Sequence, residues 1–315
     1  MRSQSLFSGG FVLSLVLLFQ NAPRAGELVV ERTTYHGWTN SIRLSNGEAE
    51  AIVVPAIGRV MQFHFIGEEG PFWENRALDG KAPDPKSAEW GNFGGDKTWP
   101  APQAEWPQVA PRAWPPPPAF DSMPVEGKIE GKTVVLLSPV DPFFGIRTRR
   151  RIDLNAADPV MTITTTFEKV SGPPRKVGVW VITQFKHPEN VLAGAPISAE
   201  FPNGYKLQSK NAPRNLQYDA GVLRVERDNK ESHKVGSAGG TLFWVGQRVA
   251  VRIDSPRVAD AEYPDEGASA EIYTNPDPAA YVELEMLGPL QELKPGDKLE
   301  RTSRYTLLRK SDENQ

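Results

Sequence analysis

Almost every apolar segment of this 315-residue chain alternates with period two. Residues 49–55 (AEAIVVP), 60–65 (VMQFHF), 133–138 (TVVLLS), 146–154 (IRTRRRIDL), 160–167 (VMTITTTF) and 177–185 (VGVWVITQF) do so. The same holds for 222–226 (VLRVE), 241–245 (TLFWV), 249–253 (VAVRI), 270–274 (AEIYT) and 281–287 (YVELEML). Successive side chains of a strand point to opposite sides, so each segment offers one face to a core. The segments are rich in Val, Ile, Thr and aromatics, which suit a pleated, half-buried surface. Turn chemistry separates them at Asn46-Gly47, Asp219-Ala220-Gly221, Asp228-Asn229 and Pro295-Gly296-Asp297. Beyond the first 25 residues, no window of about twelve carries a helical period. Many strands without crossover helices predict an all-β protein, a large antiparallel sandwich or barrel.

With 39% hydrophobic residues, 24% charged residues and a net charge of −3, the chain has globular composition and no basic excess. Nucleic acid is therefore not an expected partner, because nothing neutralises its phosphates. No composition break divides the chain, so residues 26–315 are expected to form a single β-sandwich domain. Residues 1–25 read as a signal peptide: Arg2 supplies a positive start, residues 11–19 are apolar, and Ala22 and Ala25 follow. That apolar run is too short for a span, which needs about 20 residues. An uncleaved anchor is the alternative, since Pro23 sits where a small residue is preferred before Ala25. A periplasmic or extracellular location follows, with no integral membrane span after signal removal. There is no cysteine and no Asn-x-Ser/Thr, so neither disulfides nor N-glycosylation are expected.

One region breaks the pattern. Trp73, Trp90, Trp99, Trp106 and Trp114, five of the eight tryptophans, fall between Pro71 and Pro124, with twelve of the 29 prolines. Proline lacks the ladder donor and fixes φ, so the segment is expected to be loop. An aromatic loop of this length is either an interaction surface or a structured cover over the core. In residues 146–154 the alternation puts Arg147, Arg149, Arg151 and Asp153 on one face and Arg150 with Ile146, Thr148 and Ile152 on the other. The basic face is either solvated or an anion site.

Catalytic signatures are few. There is no His-Glu-x-x-His, Gly-x-Ser-x-Gly, Walker loop or Gly-x-Gly-x-x-Gly, and only four histidines. A metal site is not expected, and what remains is carboxylate and histidine acid–base chemistry or plain binding. His36 falls in a short loop, His64 points off an apolar strand face, and His233 in DNKESHK is expected in solvent. His187 follows a hydrophobic strand at the rim where sites are commonly built. Glu283 and Glu285 share one face of a strand while Val282, Leu284 and Met286 share the other. That face is either solvated or turned into a concavity, where burial would raise a carboxyl pKa toward that of a general base.

Several stretches in order then resemble the galactose-mutarotase-like (aldose 1-epimerase-like) superfamily, and within it a bacterial family of uncharacterised domains. They are YHGWTNSIRLSNGEAEAIVVPAIGRVMQF, FWENRALDG, GGDKTWPAPQ, VWVITQF, YPDEGASAEIYTN and YVELEMLGPLQELKPGD. The resemblance implies an antiparallel β-supersandwich whose concave face binds carbohydrate, with no metal or cofactor. In catalytic relatives a glutamate takes the anomeric proton and a histidine donates to the ring oxygen. By position, Glu285 is similar to that base, with Glu283 the register alternative, and His187 to that acid. Here Lys186-His187-Pro188 departs from the usual context of the histidine. GGDKTWP resembles a loop of the hexose-6-phosphate branch, but Phe93 replaces an arginine that helps hold phosphate, which disfavours a phosphorylated sugar. Trp99 and Trp38 are candidate platforms for a pyranose, with core packing as the alternative. Asp96, Lys97, Arg59 and Gln184 are candidates to orient hydroxyls. The implied protein recognises carbohydrate, either as an aldose 1-epimerase-like enzyme or as a non-catalytic binding or cell-envelope protein.

Overall fold

The structure is a computed structural model that describes residues 26–310; the signal peptide expected over 1–25 lies outside the described residues. The first strands are β1 (Val29–Tyr35), β2 (Trp38–Ser45), β3 (Ala49–Val54), β4 (Arg59–Phe65) and β5 (Asp96–Ala101). Next come β6 (Glu126–Glu130), β7 (Thr133–Val140), β8 (Ile146–Leu154), β9 (Val160–Lys169) and β10 (Arg175–Lys186). They are followed by β11 (Asn190–Gly194), β12 (Tyr205–Leu207), β13 (Gln217–Asp219), β14 (Val222–Val225), β15 (His233–Ser237) and β16 (Thr241–Val245). The last are β17 (Val249–Asp254), β18 (Ala270–Thr274), β19 (Tyr281–Leu287), β20 (Gln291–Leu293) and β21 (Lys298–Arg309). Among the described residues no α-helix exceeds four residues.

These strands form two antiparallel sheets. The first runs β1-β2-β3-β4-β5-β10-β19-β18-β15-β12, with β20 pairing the start of β10. The second runs β13-β14-β11-β16-β17-β21-β9-β8-β7-β6. The all-β sandwich expected from the period is therefore present, and each period-two segment coincides with a strand. In β21 the period is visible as burial: Leu299, Arg301, Ser303, Tyr305 and Leu307 are inside while their neighbours are not. The two inner faces meet in one large apolar core that includes Phe63, Phe72, Phe167, Phe185, Met286 and Leu307.

Polar groups also cross between the sheets. Asp96 on β5 is fully buried and faces inward. Its carboxylate accepts from the Arg150 guanidinium on β8, from Tyr305 on β21 at 2.6 Å and from Thr183 on β10 at 2.7 Å. The basic strand β8 thus splits as its alternation requires: Arg150 enters the core, and Arg149 and Arg151 pair with Glu130 and Asp153 on the outside.

The expectation of loop throughout 71–124 is corrected at residues 96–101, which form an interior strand. Proline fits there for a specific reason. Pairing with β4 is confined to Val60↔Asp96, so beyond Asp96 the strand has one hydrogen-bonded neighbour, β10. Pro100, opposite Val179, then occupies an edge-like position where a missing donor is tolerated. Phe72 and Phe120 of the segment enter the core between the sheets, against Tyr305 and Phe167, while its tryptophans lie over the outer face of the first sheet as a cover. Trp99 packs edge-on against Trp90, Trp106, Trp114 and Trp180 with ring centroids 5.4–5.8 Å apart. This explains why every residue of β19, in the middle of the sheet, is buried on both sides.

Candidate functional site

Register places two rows of side chains across the outer face of the first sheet. One row runs Lys97, Ile182, Glu285, Glu271, Gly236 over β5, β10, β19, β18 and β15. The next runs Gln184, Glu283, Tyr273, Lys234. Glu283 and Glu285 therefore share a face, as the period requires, and that face is covered rather than solvated: Glu285 is 1% exposed.

Around Glu285 the charges are dense. The Lys234 ammonium lies 2.6 Å from Glu271, 3.1 Å from Glu285 and 3.9 Å from Asp265. The Trp180 indole donates to Glu285 at 2.7 Å, and Gln208 donates to Glu271 at 2.7 Å. Burial disfavours the Lys234 ammonium, but the three carboxylates outweigh it and hold its pKa above the ordinary lysine range. Burial pushes the Glu285 carboxyl well up; Lys234 opposes this, and the Glu271 and Glu283 carboxylates add to it. Asp265 is likewise pushed up to about 6, by burial first and then by Glu271.

Asp265 and Glu266 sit at φ 49° and 60°, two consecutive non-glycine residues in the left-handed region. Each costs about 1–2 kcal/mol. Strain of this kind persists where the surroundings over-determine it, commonly at ligand sites. The turn they form, with Lys234 and Gln208, makes one wall of a cleft of about 490 Å³. Gln103, Ala104, Pro107 and Ala113 of the aromatic cover make the other. The size lies within the usual range of small-molecule sites, about 300–1,000 Å³.

Next along the face, Lys97 is buried against Glu283 at 3.3 Å, with its ammonium 5.0 Å from the Trp99 ring centre and 5.6 Å from that of Trp90. Burial lowers its pKa, and the Glu283 carboxylate opposes that. The same residues anchor the cover. Asp121 accepts from Arg59 at 2.7 Å, Trp90 at 2.8 Å and Trp99 at 3.0 Å.

The candidates from the sequence thus separate. Glu285, Glu283, Lys97 and Gln184 come together on the outer face, with Trp99 buried beside them. Asp96 does not join them, because it is one residue from Lys97 on a strand and faces the opposite way. Arg59 is consumed by Asp121 and the Gly94 carbonyl. Trp38 packs with Ile52, Val54, Ile57, Met61 and Phe93, its indole donating to the Lys81 carbonyl. Both are structural at their present contacts.

His187 stands apart. From Ile182, opposite Glu285, to His187 the chain advances five residues, about 16 Å at strand rise. It lines a separate rim cleft of about 740 Å³ with Lys186, Glu189, Glu226, Arg227 and Trp244. Arg227 donates to its Nδ1 at 2.8 Å, and burial with that guanidinium lowers its pKa. His233, expected in solvent, is buried with Nδ1 at 3.0 Å from the Asn211 carbonyl. No histidine of the described residues stands in the two outer rows.

Lys234, Glu271, Asp265, Gln208 and Trp180 are not among the candidates that the sequence offers. Period two in residues 270–274 does put Glu271 and Tyr273 on one face, so that signal was present. Lys234 hides in a charged stretch, and Asp265 reaches the site through its turn geometry.

No family model matches the chain, and no curated protein does. Solved structures do. A galactose 1-epimerase from Lactobacillus acidophilus NCFM is similar with TM-score 0.52 and 13% identity, over 90% of this chain and 99% of that one. A galactose mutarotase-like protein from Lactobacillus casei ATCC 334 gives TM-score 0.52 and 9% identity, over 85% and 100%. A TPR-domain containing protein from Parabacteroides distasonis ATCC 8503 gives TM-score 0.57 and 13% identity over 85% of this chain, which spans 46% of that protein. At such identities the likeness is one of fold, and it extends over most of the described residues. The chain has the galactose mutarotase-like β-sandwich fold.

Proposed function

We propose that this protein binds carbohydrate on the outer face of its first sheet, in the cleft between the aromatic cover and the Pro264–Gly267 turn. The observation that carries this reading is that Lys234, Asp265 and Gln208 line one cleft, with Glu271 and Glu285 buried behind the Lys234 ammonium. Donors and acceptors side by side match the hydroxyls of a sugar, each of which both gives and takes a hydrogen bond. The fold supports the reading, since its neighbours include a galactose 1-epimerase. The leader-like residues 1–25 extend it to an exported protein.

Recognition is favoured over anomer interconversion by a glutamate–histidine pair. His187 is about 16 Å along the strand from the row of Glu285. Glu285 itself is already held by the Lys234 ammonium and the Trp180 indole. Calorimetric titration and saturation-transfer NMR with D-galactose, D-glucose, D-mannose and their disaccharides test this. Binding to at least one, weakened at least tenfold in Lys234→Met, is expected, with anomer exchange no faster than in buffer. Absence of binding throughout refutes recognition. Exchange above buffer that vanishes in Glu285→Gln refutes the non-catalytic reading.

A further inference from the structure

The rim cleft beside His187, about 740 Å³ in volume, takes no part in the carbohydrate reading. It opens at one end of the sandwich, where the chain passes between strands. Residues 68–71 follow β4, 186–189 join β10 to β11, 226 and 227 follow β14, and 246–249 lead from β16 into β17. Trp244 of β16 stacks on Phe185 of β10 with ring centroids 5.8 Å apart, and its indole donates to the Lys186 carbonyl at 2.8 Å. The floor is thereby tied to both sheets, and Pro71, Pro188 and Val249 add apolar surface to it.

The polar side chains of the cleft are engaged unequally. Arg227, 6% exposed, directs its guanidinium to His187 Nδ1 at 2.8 Å, the Asn275 carbonyl at 2.9 Å and Asp277 at 2.8 Å. Because His187 accepts at Nδ1, its proton sits on Nε2, which has no hydrogen-bond partner among the described residues. Lys186 holds Glu69, and Arg309 and Lys310 hold Glu68 and Glu189. Two opposite charges are left over. Arg248 pairs with no carboxylate among the described residues, although it lines the same cleft. Glu226 accepts from the neutral Asn215 amide at 2.6 Å. Its one cation, Arg224, is 3.8 Å away and 43% exposed, a pair worth little in water. One cleft thus offers an unpaired cation, a loosely paired carboxylate and a fixed N–H donor.

We propose that the rim cleft binds the zwitterion of a short peptide, its α-carboxylate at Arg248 and His187 Nε2 and its α-ammonium at Glu226. The guanidinium fork matches a carboxylate in two hydrogen bonds, and Glu226 accepts from an ammonium. Burial and the Arg227 guanidinium lower the His187 pKa, so the ring donates while staying neutral. Size sets the length of the ligand. Taken as equant, the cleft is about 9 Å across, and an extended chain covers about 3.3–3.6 Å per residue, so two or three residues span it. A single amino acid does not. Small apolar side chains suit the Trp244 floor. This cleft shares no residue with the one lined by Lys234, so each reading can fail without the other.

The test uses the full chain with alanyl-alanine, alanyl-leucine and trialanine, each free, N-acetylated and C-amidated, and with alanine and leucine alone. Calorimetry reads binding, and the His187 ring signal in proton–carbon NMR reads its place. At least one free peptide is expected to bind, to shift the His187 signal and to lose at least tenfold in affinity when either end is capped. Arg248→Met is expected to weaken the free peptide at least tenfold and to leave the amidated one unchanged. Glu226→Gln is expected to weaken the free peptide and to leave the N-acetylated one unchanged. Thermal unfolding checks both variants, and if one does not fold the other decides. No binding of any free peptide, equal binding of free and capped forms, or alanine bound as tightly as alanyl-alanine overturns the proposal. Binding that ignores both variants, or that leaves the His187 signal unmoved, overturns it as well.

Discussion

Lys234 occupies the centre of three carboxylates, the place a cation would take. With Glu271, Glu285 and Asp265 around one ammonium, full ionisation leaves an excess of negative charge in a buried place. Burial first, and then the Glu271 carboxylate, move the Asp265 carboxyl from 3.8 up to about 6. A folded-state pKa above the unfolded one contributes stability below the unfolded pKa that is lost as pH rises through the folded one. For Asp265 the loss falls between about pH 4 and pH 6. The stability of Asp265→Asn relative to wild type should therefore become more favourable from pH 4 to pH 7. Urea unfolding at the two ends measures it, and a constant difference would show that Asp265 titrates normally. At this scale the sequence was legible wherever parity could be applied. Period two puts Glu283 and Glu285 on one face, while the surrounding prolines mask the strand over residues 96–101 and with it the opposite facing of Asp96 and Lys97. Adjacent residues on a strand cannot serve the same surface.

The element that most resists reading is the aromatic segment between Pro71 and Pro124. Its prolines argue locally for loop, and local chemistry carries no information about a sheet that needs a neighbour only on one side. Its tryptophans are better explained by the cover than by a partner: Trp90, Trp99, Trp106 and Trp114 meet one another, Trp99 meets Trp180, Trp73 packs on Tyr281, and Trp114 is 42% exposed. The cover is fastened at one carboxylate. Asp121 receives the Arg59 guanidinium and two indole donors, all from groups that are buried or half-buried. Asp121→Ala strands a buried arginine, which costs about 3–5 kcal/mol. Urea unfolding should show that loss, and tryptophan emission of the folded variant should shift red as Trp90 and Trp99 lose their anchor. An unshifted spectrum with native stability would mean that packing alone holds the cover.

Across the whole molecule, the sheets are joined by apolar packing and by the Asp96–Arg150–Tyr305–Thr183 network. Asp96→Ala leaves Arg150 buried without its counter-charge, again about 3–5 kcal/mol. Because the network reaches four strands in two sheets, far-UV circular dichroism and tryptophan fluorescence should report one shared, earlier transition. Separated transitions would mean that the sheets unfold independently. The number and kind of strands were open to sequence reading, since alternation is a local property. Their order was not, because pairing joins residues far apart, such as Asp96 and Tyr305.

The second sheet also imposes an order in time. Its β21, the final strand of the described chain, lies between β17 and β9 and is the only hydrogen-bonded link between the halves β13-β14-β11-β16-β17 and β9-β8-β7-β6. Until residues 298–309 have emerged from the ribosome, those halves have no ladder between them and Asp96 lacks Tyr305. The preceding strands therefore carry open edges until β21 is available, and the second sheet closes only when it inserts.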